Sequence, residues 1–410
     1  MGSSRGPGAG SSEAGGSSPL ASLDAEQTAI LDCLRRQIDT GSGRLEAASD
    51  TALDWDRLEE LARRHRVRPI AYHVRSEHHS DGVPRDRLGQ WTEQLERNTK
   101  RNLQLSAELC ALLEAFDERG VRALPYKGPA VAAEAYGDVS AREFGDLDVI
   151  ISKPDFEAAK RVLRDRGYEI QYESPTTDGL SRAQESLVLQ FGRGFEFVSE
   201  DRRVSVDLHW RFLPPRSSFP VDFDDVWARR QTVSVAGRDV PKLSTEDTVL
   251  LLCVHGTRHG LQLLRGVCDL GALIERSEID WAQVSRRASR LGCERRVGIG
   301  IKVARELLAV DVPDEVVDRL ESDPVVADLV EQLYDWLFDA EHDSRDDPRF
   351  KYRMHERRRD RLTFLIRWTF YPHQKEIELV SLPESLAVLY YPLRPLRLLG
   401  EASTRLLPGT

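Results

Sequence analysis

The residues in this sequence best suited to chemistry are two carboxylates spaced by one position. Asp146 and Asp148 stand in Phe144-Gly145-Asp146-Leu147-Asp148-Val149-Ile150-Ile151. In a β-strand alternate side chains share a face, so both carboxylates project together while Leu147 and Val149 point into a core. Such a pair can share a divalent ion, and Mg²⁺ commonly binds through one or two carboxylates plus substrate phosphates. A third carboxylate stands in Val204-Ser205-Val206-Asp207-Leu208-His209-Trp210, where Ser205, Asp207 and His209 form the polar half of an alternating strand. Three carboxylates on neighbouring strands could hold two ions and help remove a proton from an attacking hydroxyl, as two-metal phosphoryl chemistry requires.

Asp-x-Asp by itself says little here, because Asp54-Trp55-Asp56 and Asp222-Phe223-Asp224 repeat the pattern. The copy at Asp146 differs in its setting. Leu124-Pro125-Tyr126-Lys127-Gly128-Pro129 places Lys127 and Gly128 at a strand-to-helix turn, where backbone amides and a helix N-terminus favour bound phosphate. Lys127 adds positive charge there, and Arg142 is a second candidate for phosphate contact or for salt bridging.

His255 and His259, four residues apart, would share a helical face with Asp269 nearby. Two readings follow: a metal pair, or histidines that pack or line a substrate cleft together with His209. The first would suit a metal-dependent phosphohydrolase, although the sequence has no His-Glu-x-x-His motif. Near the C-terminus, arginines mix with aromatics and interspersed acids, which reads as a solvated face over packed helix, with RNA contact as the alternative.

These candidates need elements to hold them. Apolar spacing predicts helices over residues 24–119 and again beyond residue 244, with a loop over 76–84. Between them, strands are predicted at 121–126, 147–151, 187–191, 195–198 and 204–209, with helices after Pro129 and over 154–166. Gly192-Arg193-Gly194 is read as a tight turn between two of the strands, and Gly167 as a left-handed helix end. The expected class is α+β: a small mixed sheet at 121–243, between a helical region at 21–120 and a helical domain at 244–410, after a disordered Gly/Ser-rich leader at 1–20.

The chain has 410 residues and a net charge of −10, which argues against broad affinity for nucleic acid or acidic lipid. Five scattered cysteines suggest neither a disulfide framework nor a zinc site, and no apolar run reaches membrane-spanning length. A cytoplasmic protein without a membrane partner is expected.

Taken together, Lys127-Gly128, Arg142, Asp146, Asp148 and Asp207-Leu208-His209-Trp210 resemble the uncharacterised nucleotidyltransferases of the DNA polymerase β-like superfamily. The resemblance continues through Cys253 to His259 and Arg265 to Asp269. It implies that Asp146, Asp148 and Asp207 are catalytic metal ligands. It also implies that Lys127, Gly128 and Arg142 contact nucleotide, with Mg²⁺, two ions or else Mn²⁺, as cofactor. The implied reaction moves an NMP from an NTP to a hydroxyl on a protein, small molecule or RNA, releasing pyrophosphate. Pro129 stands where better-known members carry serine, which supports the alternative of a catalytically silent nucleotide-binding or interaction protein.

Overall fold

A computed structural model of the chain describes residues 23–39, 53–79, 82–171, 182–217, 219–338, 347–372, 376–377, 380 and 382–406. The predicted leader at 1–20 lies outside them. Four helices come first: α1 (Ala25–Ile38), α2 (Trp55–Arg64), α3 (Arg68–His78) and the 34-residue α4 (Arg85–Glu118). A mixed unit follows, with β1 (Ala123–Pro125), α5 (Pro129–Tyr136), β2 (Asp146–Ile151), α6 (Phe156–Asp165), β3 (Glu169–Ile170), α7 (Arg182–Phe191), β4 (Gly194–Ser199) and β5 (Val204–His209). After α8 (Phe223–Ala228) and the hairpin β6 (Gln231–Val235) and β7 (Arg238–Lys242), the chain turns helical again. Its helices are α9 (Thr245–Arg258), α10 (Leu264–Arg276), α11 (Trp281–Leu291), α12 (Glu294–Leu308), α13 (Asp314–Glu321), α14 (Pro324–Leu337), α15 (Pro348–Arg353), α16 (Arg358–Phe370) and α17 (Tyr390–Leu406). The fold is α+β, as expected. No helix among the described residues is long and apolar enough to cross a membrane.

Five strands form one sheet in the order β1-β2-β5-β4-β3, with β2 and β5 parallel and the other pairs antiparallel. Strand alternation gives this sheet two distinct faces. Leu147, Val149 and Ile151 of β2, Val204, Val206 and Leu208 of β5, and Phe195 and Phe197 of β4 are buried in one core with the C-terminal half of α4 and with α6. Each such side chain contributes about 1.5–3 kcal/mol on burial. The opposite face carries Asp146, Asp148, Asp207 and His209, and becomes apolar at Ile150, which packs with Leu124, Tyr126 and Phe212.

Helix α4 joins this sheet to the remaining helices. Its Trp91 packs in a second core built jointly from α1–α3 and α9–α14, while its Leu105, Leu109, Leu112 and Phe116 pack against the sheet. The N-terminal and C-terminal helices therefore share one apolar interior.

Two sequence expectations change. Residues 187–191, predicted as a strand, complete the helix α7. Leu187, Val188 and Phe191 fall on one helical face and are all buried, and in a short apolar run that spacing cannot be told from a strand by periodicity alone. Gly192-Arg193-Gly194 accordingly joins a helix to β4 rather than two strands. The predicted loop at 76–84 is partly helical as well, since α3 runs to His78, while residues 80 and 81 lie outside the described residues. The helix ending before Gly167 is as expected, with Gly167 at φ +80°.

Candidate active site

Parallel pairing of β2 and β5 sets Asp146 opposite Ser205 and Asp148 opposite Asp207. His209 follows Asp207 on the same face. Its Nε2 lies 3.5 Å from Asp148 Oδ1 and 3.6 Å from Asp207 Oδ2. Ligand atoms of Asp148, Asp207 and His209 all fall within 4.8 Å of one another, the one such group of three among the described residues. Both ring nitrogens of His209 are buried without a hydrogen-bond partner among the described residues. Gly194 makes room for this ring from β4: a Cβ there would collide with His209 Nδ1 and stand 2.6 Å from the Leu208 carbonyl oxygen.

The Lys127-Gly128 turn reaches the same place because β1 runs antiparallel beside β2. Tyr126 N–H donates to the Asp148 carbonyl at 3.2 Å, and the following residues turn into α5 through Gly128 at φ +57°. That conformation favours glycine. Lys127 Nζ comes to 3.3 Å from Asp148 Oδ1, with both side chains mostly buried. Pro129 occupies the first turn of α5.

Charge divides unequally between the two aspartates of β2. Burial pushes the Asp148 carboxyl up, but Lys127 and His209 outweigh it and hold it well below the usual carboxylate range. Asp146 is more open, yet burial and then repulsion from Asp148 and Asp207 raise its pKa. Burial also lowers the Lys127 ammonium against the pull of Asp148. This is a compressed cluster of carboxylates with one internal cation, the charge state that a hard divalent ion relieves.

Arg142 is placed otherwise than as a surface group. Its Nε donates to both Asp269 oxygens at 3.0 and 2.9 Å in a fully buried pair, and Tyr136 Oη donates to Asp269 Oδ1 at 3.0 Å. Asn102 of α4 holds the Arg142 carbonyl at 2.7 Å. Arg142 thus ties α4, the approach to β2, and α10 together.

Asp269 is committed to that strut, and no metal cluster forms around His255 and His259 among the described residues. The His255 and His259 rings lie 4.8 Å apart. Burial, then Lys127 and neighbouring cationic charge, holds His255 well below its ordinary value, and burial with Arg258 brings His259 down to about 3. Arg258, the last residue of α9, lines a cleft together with Asp207 and His209, so α9 borders the site through that end.

A cleft of about 310 Å³ opens beside Asp207 and His209. Val188, Phe191 and Tyr371 give it apolar walls, and Arg193 and Arg258 give it charge. Arg193 Nη1 is buried with no hydrogen-bond partner among the described residues. Sequence reasoning missed Arg193 and Gly194 because it read them only as a turn.

The two other Asp-x-Asp copies have a different explanation. Asp54 and Asp222 are N-caps, each accepting from two backbone amides at the start of α2 and α8. An acid two positions later suits the helix dipole, which generates the pattern without chemistry.

A family model described as an uncharacterised nucleotidyltransferase matches residues 51–309. The chain belongs to this nucleotidyltransferase family. Its membership supports nucleotidyl transfer in general, and the matched span contains all three carboxylates, the Lys127-Gly128 turn and α9. Comparison with curated proteins and with solved structures gives no match.

Proposed function

We propose that this nucleotidyltransferase moves a nucleoside monophosphate from an NTP to a hydroxyl-bearing acceptor and releases pyrophosphate. The observation that carries the reading is the register pair Asp148–Asp207, closed by His209 and faced by Lys127. The donor set fits a divalent ion: carboxylate oxygens are hard ligands, Asp148 stays ionised, and His209 has unpartnered buried nitrogens. Asp146, Asp148 and Asp207 would hold Mg²⁺ or Mn²⁺, which when bound supplies positive charge for the triphosphate oxygens.

The remaining work falls to this chain's own residues. Lys127 leaves its pairing with Asp148 to meet phosphate oxygen, and Arg193, with its unsatisfied nitrogen, offers a second donor in the cleft beside Asp207. Arg142 acts as a positioning residue through its buried strut. Asp207 accepts the acceptor's hydroxyl proton as its oxygen bonds to the α-phosphorus and the bond to pyrophosphate breaks. The neutral His255 and His259 face excludes water.

Calorimetric titration with each NTP in Mg²⁺ tests the binding half. Wild-type protein should bind at least one NTP, and both Asp148→Ala and the double variant Lys127→Met/Asp148→Ala should lose that binding while remaining folded by circular dichroism. Unchanged affinity in a folded Asp148 variant would move the site elsewhere. Binding without turnover across a broad acceptor panel would instead favour the silent reading that Pro129 suggests.

A further inference from the structure

A second cleft, of about 490 Å³, opens at the start of β2, whereas the first runs along β4. Gly145, next to Asp146, lines it, and α3 and α4 supply much of its wall. Its charge is one-sided. Arg66, Arg68, Arg97, Arg101 and Arg265 line it against a single lining carboxylate, Glu143.

That carboxylate is already engaged. Glu143 Oε1 accepts from Arg68 Nε at 2.7 Å, while Arg265 Nη1 donates to the Glu143 carbonyl at 2.9 Å and Arg101 to the Arg203 carbonyl at 2.5 Å. Arg97 has, among the described residues, only an exposed partner, Glu93, at 3.5 Å. Among the described residues no carboxylate pairs with Arg66. This residue also adopts φ +56° just past the end of α2, a position that favours glycine or asparagine, so local conformation does not explain an arginine there. Three of the five arginines, Arg66, Arg101 and Arg265, have no carboxylate partner among the described residues, and such like charges repel one another unless an anion joins them; arginine's planar fork matches phosphate oxygens two at a time.

Resting on the nucleotidyl-transfer reading, we propose that this cleft binds a phosphate group carried by the acceptor and directs the acceptor's hydroxyl past Asp146 to the carboxylates, where Asp207 takes its proton. Transfer needs the attacking and leaving oxygens roughly in line through the α-phosphorus, so two substrates that enter from different sides of the carboxylates suit the reaction. The NTP occupies the side of Lys127 and Arg193, leaving the arginine cleft for the second substrate. The acceptor class is a hydroxyl compound that bears phosphate, either a free phosphorylated metabolite or the phosphorylated end of an RNA.

The experiment titrates ribose 5-phosphate, and ribose as control, into full-length protein saturated with Mg²⁺ and a nonhydrolysable NTP. Ribose 5-phosphate should bind and ribose should not. Arg66→Ala and Arg97→Ala, both at exposed positions, should each weaken that binding by about tenfold or more, the loss expected for charge-assisted hydrogen bonds, and leave NTP affinity unchanged. A 5′-phosphorylated oligoribonucleotide that binds far more tightly, and still requires both arginines, would identify an RNA end as the phosphate source. Equal binding of ribose and ribose 5-phosphate, or indifference to both substitutions, overturns the proposal. Loss of NTP affinity in Arg66→Ala would overturn it differently, by giving the cleft to the triphosphate while the transfer reading stands. Arginine-dependent ribose 5-phosphate binding by a protein that binds no NTP would retain the phosphate site and overturn its acceptor role together with nucleotidyl transfer.

Discussion

Asp148 and Asp207 are register partners on adjacent parallel strands, and the imidazole of His209 lies within 3.6 Å of both carboxylates. The relationship follows from strand geometry, because alternate residues of β2 and β5 face the same way and pairing sets the two carboxylates side by side. Lys127 then arrives from the neighbouring strand to share Asp148 with His209.

The Lys127–Asp148 pair makes the consequences of its two substitutions unequal to their sum. Asp148→Ala leaves a mostly buried ammonium without its counter-charge, and breaking such a pair costs about 3–5 kcal/mol when burial is complete. Lys127→Met added to it should restore stability in urea unfolding without restoring activity, which should remain down by on the order of 10² or more. Additive stability losses would show that the pair is not coupled.

Gly194 offers a test that touches no carboxylate. A methyl group at 194 would strike His209 Nδ1 and the Leu208 carbonyl, so Gly194→Ala must displace the ring or the strand. We expect about 1–3 kcal/mol of destabilisation from overpacking. Mn²⁺ affinity, followed by electron paramagnetic resonance, should weaken as well. Mn²⁺ affinity equal to wild type would show that the position of His209 is immaterial to the metal site.

Removal of Asp269 should be costly although it is not assigned to the chemistry. Asp269→Ala strands Arg142 in a buried setting, with a loss of about 3–5 kcal/mol, whereas Arg142→Met/Asp269→Leu should recover much of it. Chemical denaturation of the two variants distinguishes this strut from a surface salt bridge, for which each change would cost at most about 1 kcal/mol.

Buried histidines should lower stability on the acid side. Burial, then Arg64, holds His65 at about 4, and burial, then Arg296, holds His355 at about 3. Arg296 Nη2 donates to His355 Nδ1 at 2.9 Å, as a neutral ring permits. In the unfolded chain both titrate near about 6.5, so the unfolded state takes up protons first. Their contribution is complete above that pH and declines as pH falls through 6.5 toward 4 and 3, by roughly 1.4 kcal/mol per pH unit for each histidine. Urea midpoints between pH 7.5 and 5 should show the decline, and His65→Asn should remove one histidine's share of the slope. A slope unchanged by that substitution would place the titration elsewhere.

Much of the site was legible because period-two alternation is unambiguous where polar and apolar residues strictly interchange, as at Val204 to His209. Long-range partners were less so. Nothing in the local pattern shows that Asp269 reaches Arg142 across 127 positions or that Arg66 and Arg265 converge beside Gly145. The run Leu187 to Phe191 misled because its four apolar residues suit either a strand or one buried helix face. Its misreading hid Arg193, whose side chain lines the cleft beside Asp207. The helical segments at both ends were recognisable as helices, but their shared core depends on tertiary packing that periodicity does not encode.

The central claim is tested most directly by transfer of label from α-phosphate-labelled NTPs. Purified protein is incubated with Mg²⁺, each labelled NTP in turn and a fractionated cell extract, while pyrophosphate and labelled products are followed. Nucleotidyl transfer predicts an acceptor that gains label in step with pyrophosphate release from one or more NTPs, with both signals lost in folded Lys127→Met/Asp148→Ala protein. Labelling that persists undiminished in that variant, or its absence with every NTP and fraction, would contradict the account.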